Sequence, residues 1–343
     1  MKTKVLVSSL GESPAVVTET VDALEREEGV KIDYVVTVGT SASEVGEASR
    51  ILWKEFAGFE GGRVTYIHDQ IEAEDLLTEE DHLEYLSKIA FHLRAYSPFA
   101  DVYLSLAGGR KTMSAVMTIA AQIYGVKMLC HVVPLDKELE KWGNVCIWEN
   151  LPPSKRQYVL HPPPDKVCFV RLPLISLFPL LDDILKALRG EGDVNPPALE
   201  LLEGSGLIAR QEGRLKTTPV GAQLLEVLSD IASLPQPCEL RPDQKEVVIH
   251  DHGYAGKKYD KVEQFARRLT LFPWTINVRT IEYGPKPRTR IRKIWDDGRI
   301  ELEVKTTEFS AGIEVRTTAQ TKAQTERVVE ELKKFLNKYV NLR

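Results

Sequence analysis

A glycine turn that carries two adjacent cations is the part of this sequence best suited to bind a ligand. Arg110 and Lys111 directly follow Gly108-Gly109 and precede Thr112. Glycines let a backbone approach a ligand without interference from a Cβ atom, and the pattern after Lys111 predicts a helix whose first N–H groups lack partners. This arrangement predicts a phosphate site. The turn matches neither the P-loop nor the dinucleotide-binding fingerprint, and a plain strand-to-helix turn with solvated cations is the alternative.

Two earlier turns carry hydroxyl groups in a similar setting. Gly11-Glu12-Ser13 follows one apolar run, and Gly39-Thr40-Ser41 follows another. Ser13 by itself fits a helix N-cap, with Pro14 at the first helical position. If the flanking runs are parallel strands, however, all three turns lie at the carboxyl edge of one sheet, where such folds bind ligands. Their convergence favours a shared binding site.

The elements that would position these turns alternate between strands and helices. Apolar runs predict strands at Lys4–Ser8, Ile32–Val38, Val64–His68, Val102–Leu104 and Lys127–Val133, with an edge strand at Val145–Trp148. Apolar residues at helical spacing predict helices after Pro14, at Ala42–Phe56, at Glu79–Ala95 and after Lys111. This alternation predicts an α/β fold with a Rossmann-like parallel sheet and right-handed crossovers.

Two segments resemble the motifs of CRISPR-associated Rossmann-fold (CARF) domains. Residues 5–20 resemble the opening motif and residues 105–114 resemble the second, and the resemblance covers residues 1–150. Within CARF proteins the chain is most similar to the type III CRISPR ring nucleases, which implies a homodimer that binds cyclic tetra-adenylate and cleaves it. By the same resemblance, Ser13 would position the ribose or phosphate, Lys111 would stabilise the developing charge and Arg110 would hold the neighbouring phosphate.

The reaction that this resemblance implies needs no metal and no other cofactor. The 2′-hydroxyl of the substrate can attack the adjacent phosphorus, which leaves linear di-adenylate with a 2′,3′-cyclic phosphate. The protein has to hold the in-line geometry and neutralise charge, and no histidine lies at the three turns to act as a general base, so we expect slow turnover. The other candidate ligand-binding residues are Leu10, Gly11, Glu12, Thr40, Ser41, Gly108, Gly109 and Thr112.

The composition narrows the class of protein. The formal net charge is −5 over 343 residues, which argues against general binding to nucleic acid, so an anionic ligand would need a local basic pocket. The cysteines, Cys130, Cys146, Cys168 and Cys238, show no C-x-x-C spacing and are expected to be reduced and mostly buried. Because the sequence has no signal-peptide pattern and no membrane-spanning apolar run, we expect a cytoplasmic protein with no membrane partner.

Three further segments follow the CARF-like residues 1–150. The sequence predicts a proline-rich linker at 151–173, a winged helix-turn-helix-like domain at 174–237 and a small α+β domain of unknown role at 238–343. In the second of these, helices at Leu174–Leu188 and Pro197–Glu203 precede a β-wing that turns at Glu212-Gly213. DNA binding is the functional interpretation, but Glu200 and Glu203 would repel phosphate, so a dimerisation or spacer module is favoured.

The last segment shows no resemblance that reveals its role. Its patterns predict strands at Glu246–His250, Thr275–Tyr283, Ile291–Trp295, Ile300–Lys305 and Gly312–Thr317, and an amphipathic helix at Ala323–Tyr339. A basic stretch is interpreted as a solvated strand face rather than a nucleic-acid site; it comprises Arg279, Lys286, Arg288, Arg290, Arg292 and Lys293. His250 and His252 beside Asp251 are weak evidence for a metal site.

Two other functions remain open. One is a regulator that senses cyclic oligoadenylate without cleaving it and acts through the winged helix. The other is an effector nuclease whose catalytic centre lies in the C-terminal domain. A HEPN ribonuclease, marked by Arg and His closely spaced on a helix, is not favoured, because Arg63 with His68 lies in a strand pattern and Arg156 with His161 runs into prolines.

Overall fold

The computed structural model describes residues 2–58, 64–191, 193–211, 214–250, 252, 257–284 and 287–337. By its internal contacts the chain divides into two units, Met1–Ile231 and Ala232–Arg343. Within the described residues, no helix has the length and apolar character needed to cross a membrane.

The first unit is built on a six-stranded sheet in the order β3-β2-β1-β4-β5-β6. The strands are β1 (Thr3–Ser9), β2 (Tyr34–Gly39), β3 (Thr65–Gln70), β4 (Ala100–Ser105), β5 (Met128–Pro134) and β6 (Val167–Leu172). β1 to β5 run parallel, and β6 is antiparallel to β5. Val5, Leu6 and Val7 are fully buried, which explains the unbroken apolar run in β1. The predicted α/β fold with a mainly parallel sheet is confirmed. The strand order of this sheet reverses between β1 and β4.

Helices connect the strands and cover the sheet. α1 (Ala15–Glu28), α2 (Ser43–Gly58), α3 (Glu79–Tyr96) and α4 (Lys111–Tyr124) join the parallel strands, and α5 (Lys137–Trp142), α6 (Val145–Trp148) and α7 (Pro153–Leu160) lie between β5 and β6. One buried apolar cluster contains Leu6 of β1, Leu24 of α1, Leu52 of α2, Trp148 of α6 and Val159 of α7. This cluster holds α1 against the sheet and so fixes the position of its first turn.

Two segments after β5 differ from the sequence-based expectation. Val145–Trp148, predicted as an edge strand, is the helix α6, because the Asn144 side chain accepts a hydrogen bond from the Cys146 N–H at 2.8 Å and caps a helical turn. The edge strand is β6 instead. The predicted proline-rich linker begins with the helix α7, since Pro153 in its first turn already has a helical φ. Residues 151–173 therefore contain α7 and β6.

The cysteines are only partly as expected. All four are free thiols, but Cys146 and Cys168 are exposed and only Cys130 and Cys238 are buried. The expectation that most of them are buried is therefore wrong.

The rest of the first unit is a small group of helices with one hairpin. It comprises α8 (Leu181–Leu188), α9 (Pro196–Gly204), β7 (Ile208–Gln211), β8 (Arg214–Thr217) and α10 (Pro219–Ser233). The helix predicted from Leu174 begins only at Leu181, because Phe178–Leu180 forms a 3-10 turn that contains Pro179. β7 and β8 pair antiparallel, and their predicted turn, Glu212-Gly213, lies outside the described residues.

The second unit contains a five-stranded sheet in the order β11-β12-β13-β10-β9. Its elements are β9 (Glu246–Val248), α11 (Lys257–Leu269), β10 (Thr275–Ile281), β11 (Arg290–Ile294), β12 (Arg299–Lys305), β13 (Ser310–Thr317) and α12 (Lys322–Asn337). Trp274, Leu302, Ile313 and Leu332 are fully buried. The sequence analysis predicts α12 but not α11.

Charged groups of the predicted basic stretch are partly neutralised within the second unit. Arg279 pairs with Glu314 at 2.8 Å, and Arg290 pairs with Glu303 at 3.0 Å. Lys286 lies outside the described residues, as do Asp251, from the weak metal prediction, and Arg63, from the HEPN comparison.

Candidate functional site

A cleft of about 760 Å³ lies at the carboxyl ends of the central strands. Its walls include the residues that follow β1, β2 and β4, and β1 and β4 flank the point where the strand order reverses. Doubly wound sheets bind ligands at this position. Eight of the predicted site residues line the cleft together: Leu10, Gly11, Glu12, Ser13, Thr40, Gly108, Gly109 and Arg110.

The turns after β1 and β4 touch through their backbones. A Cβ atom on Gly11 would lie 2.8 Å from the backbone nitrogen of Gly109, so neither turn has room for a side chain between them. The Ser9 hydroxyl donates to the carbonyls of Ala107 and Gly108 at 3.0 Å and 2.9 Å. Gly108 and Gly109 have φ values of +92° and +69°, which favour glycine. The floor of the cleft is therefore main chain held in a fixed arrangement.

Ser13 lies at the start of α1 but does not cap it. The N-cap position belongs to Pro14 and carries no side-chain hydrogen bond, so the predicted N-cap role of Ser13 is wrong. The Ser13 hydroxyl lies beside Gly143, where a Cβ atom would be 2.7 Å from it. Ser13 is half-buried and lines the cleft next to the first turn of α1, where the first N–H groups of a helix lack helical partners.

Arg110 reaches across the cleft to the loop that connects β3 to α3. Its Nε and Nη2 donate to the two carboxylate oxygens of Asp75. This pairing holds the pKa of Asp75 below its usual value. A phosphate that binds Arg110 therefore has to replace or share the Asp75 carboxylate.

Three predicted residues lie outside the cleft walls. Lys111, the first residue of α4, is exposed, as is Thr112. The Ser41 hydroxyl donates to the carbonyl of Glu72 at 2.7 Å, whereas its neighbour Thr40 is buried and does line the cleft. Within a single chain, therefore, Arg110 lines the cleft and Lys111 does not.

The charge of the cleft differs from the expected basic pocket. Its acidic lining residues are Glu12, Glu19, Glu74, Asp75 and Glu140, and among the described lining residues Arg110 is the only arginine or lysine. Glu12 accepts a hydrogen bond from the Asn144 amide at 2.7 Å. Within one chain, the cleft therefore offers an anion Arg110, the backbone N–H groups at the start of α1 and the backbone of the Gly108-Gly109 turn.

Two titratable side chains that the sequence analysis did not single out also line the cleft. Glu19 of α1 is 4% exposed, and its Oε2 has no hydrogen-bond partner among the described atoms. Burial, with a smaller contribution from Asp22, raises the pKa of Glu19 to about 7. The Nδ1 of His131 on β5 likewise has no hydrogen-bond partner among the described atoms. Burial lowers the pKa of its imidazole.

Both residues were missed because they lie inside elements rather than at turns. The available signal was in α1, where an acidic Glu19 interrupts the apolar face formed by Val16, Thr20 and Ala23. Taken together, the cleft can hold a phosphate at two helix N-termini and can exchange a proton near neutral pH through a buried carboxyl.

Comparison with known proteins assigns the family. The sequence model of the CRISPR-associated protein NE0113 family matches residues 13–203, which is more than half of the chain. The chain belongs to this family. The part that matches the NE0113 family includes Ser13, Glu19, Arg110 and Lys111, and it extends through β6 to α9.

One curated relative agrees with this assignment. A CRISPR system ring nuclease of Saccharolobus solfataricus is 34% identical over 134 residues, which are 38% of this chain and 72% of that protein. The resemblance to CARF ring nucleases is thereby confirmed as a family relationship. Among solved structures, Enterococcus italicus Csm6 bound to cyclic hexa-2′-fluoro-hexa-dAMP superimposes with a TM-score of 0.34 and 15% identity. That match covers 68% of this NE0113-family chain and 55% of the Csm6 chain.

Proposed function

We propose that this NE0113-family chain is a metal-independent ring nuclease that switches off type III CRISPR signalling. It cleaves cyclic tetra-adenylate to linear di-adenylate with a 2′,3′-cyclic phosphate. The observation that carries the proposal is the meeting of the Ser13 and Arg110 turns in one cleft, in a chain that is 34% identical to a protein named as a ring nuclease.

The cleft supplies the groups that an internal attack on phosphorus requires. The 2′-hydroxyl loses its proton to solvent and its oxygen bonds to phosphorus, the bond to the 5′-oxygen breaks, and the 5′-oxygen takes up a proton from solvent. Two such cuts convert one ring into two di-adenylates. Ser13 and the first turn of α1 hold the phosphate so that the attack is in line. Arg110 leaves Asp75 to bind a phosphate oxygen, and Lys111 neutralises the charge that develops in the transition state.

A second copy of the chain completes this site in our proposal. A ring of four adenylates has two-fold symmetry, which a symmetric homodimer matches. A second copy would add another Arg110 and another exposed Lys111 to the same ring, together with its own acidic wall residues, so the two-fold match and not the charge of the cleft supports this arrangement. Val133 lines the cleft and is 40% exposed, and Leu135 just beyond it is 62% exposed, which supplies apolar surface for such a contact.

The direct test is incubation of the pure protein with cyclic tetra-adenylate and EDTA, followed by chromatography and mass measurement. We expect linear di-adenylate that ends in a cyclic phosphate. A ring that stays intact, or cleavage that EDTA abolishes, would contradict the proposal.

Variants of the two turns test the site assignment. We expect Lys111→Ala to lower the cleavage rate about 100-fold, because it removes a charge that stabilises the transition state. Ser13→Ala should lower the rate at least about 10-fold through loss of positioning. Lys127→Ala, on an exposed turn that does not line the cleft, is the matched control and should cleave at the wild-type rate. Wild-type rates in both site variants would overturn the assignment.

Residues 174–237 remain a winged-helix-like module in this proposal. The order α8, α9, β7-β8 hairpin and α10 supports it. Arg210 of the hairpin pairs with Glu203 of α9 at 2.6 Å, so this hairpin cation is already engaged. We therefore propose a spacer or dimerisation role for the module rather than DNA binding. A ring that binds without cleavage and changes the affinity for DNA would favour the alternative, a regulator.

A further inference from the structure

Glu19 is a buried carboxyl that faces the cleft without a partner. Buried polar groups in proteins are almost always hydrogen-bonded, yet Glu19 Oε2 has no partner among the described atoms, although the side chain is nine-tenths buried. The reaction proposed above assigns it no role. Its position on a cleft wall indicates that a ligand supplies the missing hydrogen bond.

The position of Glu19 along α1 suits a base rather than a phosphate. With a rise of 1.5 Å per residue, the backbone of Glu19 lies about 6 Å along the helix axis from that of Ala15, the first residue of α1. A carboxylate also repels a phosphate, so a nucleotide whose phosphate is held at the Ser13 turn would present its base, rather than the phosphate, to the wall that carries Glu19.

The surroundings of Glu19 suit a flat heterocycle. Val16, Ala107 and Val132 line the same cleft and belong to one apolar cluster. An apolar slot with one polar group is the usual design of a small-molecule site, in which the polar group fixes identity and orientation.

The protonation state of Glu19 selects which base it can recognise. Burial raises its pKa to about 7, so the neutral carboxyl is well populated near neutral pH. A neutral carboxyl carries one O–H donor and one carbonyl acceptor. Adenine presents the complementary pair, an amino donor at N6 and an acceptor at an adjacent ring nitrogen, which glutamine reads in the same way in nucleic-acid complexes.

We propose that Glu19 is a specificity-determining residue that reads one adenine of the bound ring. Its protonated carboxyl accepts a hydrogen bond from the N6 amino group and donates one to a ring nitrogen. This inference rests on the proposed function, because it takes a cyclic adenylate as the ligand.

Other titratable groups lie around this carboxyl and have to be separated from it in a test. They are Asp22 on α1, His131 on β5, His161 after α7, Arg171 on β6, and Glu12, Glu74, Asp75, Arg110 and Glu140 on the cleft walls. A pH dependence that any of them carries persists when Glu19 is replaced by Gln. The Gln variant therefore isolates the contribution of Glu19.

The experiment is calorimetric titration with cyclic tetra-adenylate at about pH 6.5 and about pH 8.5, which lie on either side of the raised pKa of Glu19. In the wild type we expect the affinity to fall about 10-fold at the higher pH, with proton uptake on binding. Glu19→Gln keeps the donor and acceptor pair, so it should bind at both pH values about as tightly as the wild type at the lower one. Glu19→Ala should bind about 10-fold more weakly than Gln at both. Glu25→Gln, on the exposed part of the same helix, should behave as the wild type.

The outcomes separate this inference from the proposed function. If Glu19→Gln binds as weakly as Glu19→Ala, or if its affinity depends on pH as strongly as that of the wild type, Glu19 does not read the base. In that case, cleavage of the ring by the Glu19 variants at the wild-type rate would still support the proposed ring nuclease. A wild-type protein that binds the ring with the expected pH dependence but leaves it intact would support the inference and refute the nuclease. A wild type that does not bind the ring refutes both.

Discussion

At the scale of single residues, the buried carboxyl of Glu19 has a cost to folding that depends on pH. Its pKa is raised from 4.5 to about 7 by burial, so between these values the folded chain binds more protons than the unfolded chain. Stability therefore falls as the pH rises through this window. A shift of this size corresponds to about 3 kcal/mol above neutral pH, to the order of magnitude.

Glu19→Gln should remove this pH-dependent loss. We expect the difference in unfolding free energy between the variant and the wild type to move in favour of the variant by about 3 kcal/mol from about pH 4.5 to about pH 8. Denaturant unfolding at the two pH values measures it, and Glu25→Gln is the control on the same helix. Parallel stability curves for Glu19→Gln and wild type would show that folding does not raise the pKa of Glu19.

At the scale of elements, the contact between the Gly11 and Gly109 backbones fixes the two turns relative to each other. Gly11→Ala places a methyl group 2.8 Å from the Gly109 nitrogen and forces the turns apart. Because in-line attack depends strongly on position, we expect cleavage to fall at least about 10-fold while the overall fold is kept. Cleavage assays and far-ultraviolet circular dichroism measure the two effects.

Gly46→Ala is the matched control for that substitution. Gly46 lies inside α2, and a Cβ atom there meets nothing within 4 Å. This variant should keep its activity and gain slightly in stability from better helix propensity. If both glycine variants cleave alike, close approach of the two turns is not what limits the site.

His161 connects three helices through two acidic partners. Its Nδ1 lies 2.7 Å from the Asp22 carboxylate on α1, and its Nε2 lies 3.1 Å from the Glu55 carboxylate on α2, while its backbone follows α7. Burial opposes protonation, but the two carboxylates outweigh it and raise the pKa of His161 above 6.5. The resulting stabilisation is complete below pH 6.5 and is lost as the pH rises through the raised value.

Replacing His161 by Gln should therefore cost more stability in acid than in base. We expect the destabilisation to be larger at about pH 6 than at about pH 9, because only the protonated imidazole gains from the two carboxylates. Thermal melting of the variant and the wild type at both pH values gives the comparison. An equal loss at the two pH values would mean that the pKa of His161 is the same in the folded and unfolded chains.

At the scale of the whole molecule, the two-fold symmetry of a four-nucleotide ring predicts that two chains share one ligand. We expect calorimetry to saturate at one cyclic tetra-adenylate for every two chains, and the ring to stabilise a dimer in sedimentation. Saturation at one ring per chain, with sedimentation as a monomer, would contradict the proposed homodimer.

Much of the fold was predictable because parallel strands covered on both faces give continuous apolar runs. Val5 to Val7 and the runs before Gly39 and Ala107 identify β1, β2 and β4 together with the turns that follow them. Short segments were not predictable in this way. Val145–Trp148 is apolar but suits either a strand or a helix, and a local cap on Asn144 decides it.

The turns of the site were predictable, but its walls were not. Glu19 and His131 become wall residues only because α1 packs against β5 and β6, which no local pattern encodes. The excess of acidic over basic residues in the cleft also depends on Asp75, which the loop before α3 places beside Arg110. Contacts between residues far apart in the sequence determine all of these features.

The glycine-to-glycine contact also bears on how new ligand preferences could arise in this scaffold. Because the floor of the cleft consists of peptide groups, side-chain substitutions elsewhere leave it unchanged. If Glu19 reads a base as proposed, exchanges at Glu19 or at His131, which lines the same cleft, would change the ligand preference and leave the floor of the cleft intact. Libraries directed at those two positions should therefore yield receptors for other cyclic nucleotides without loss of the underlying architecture.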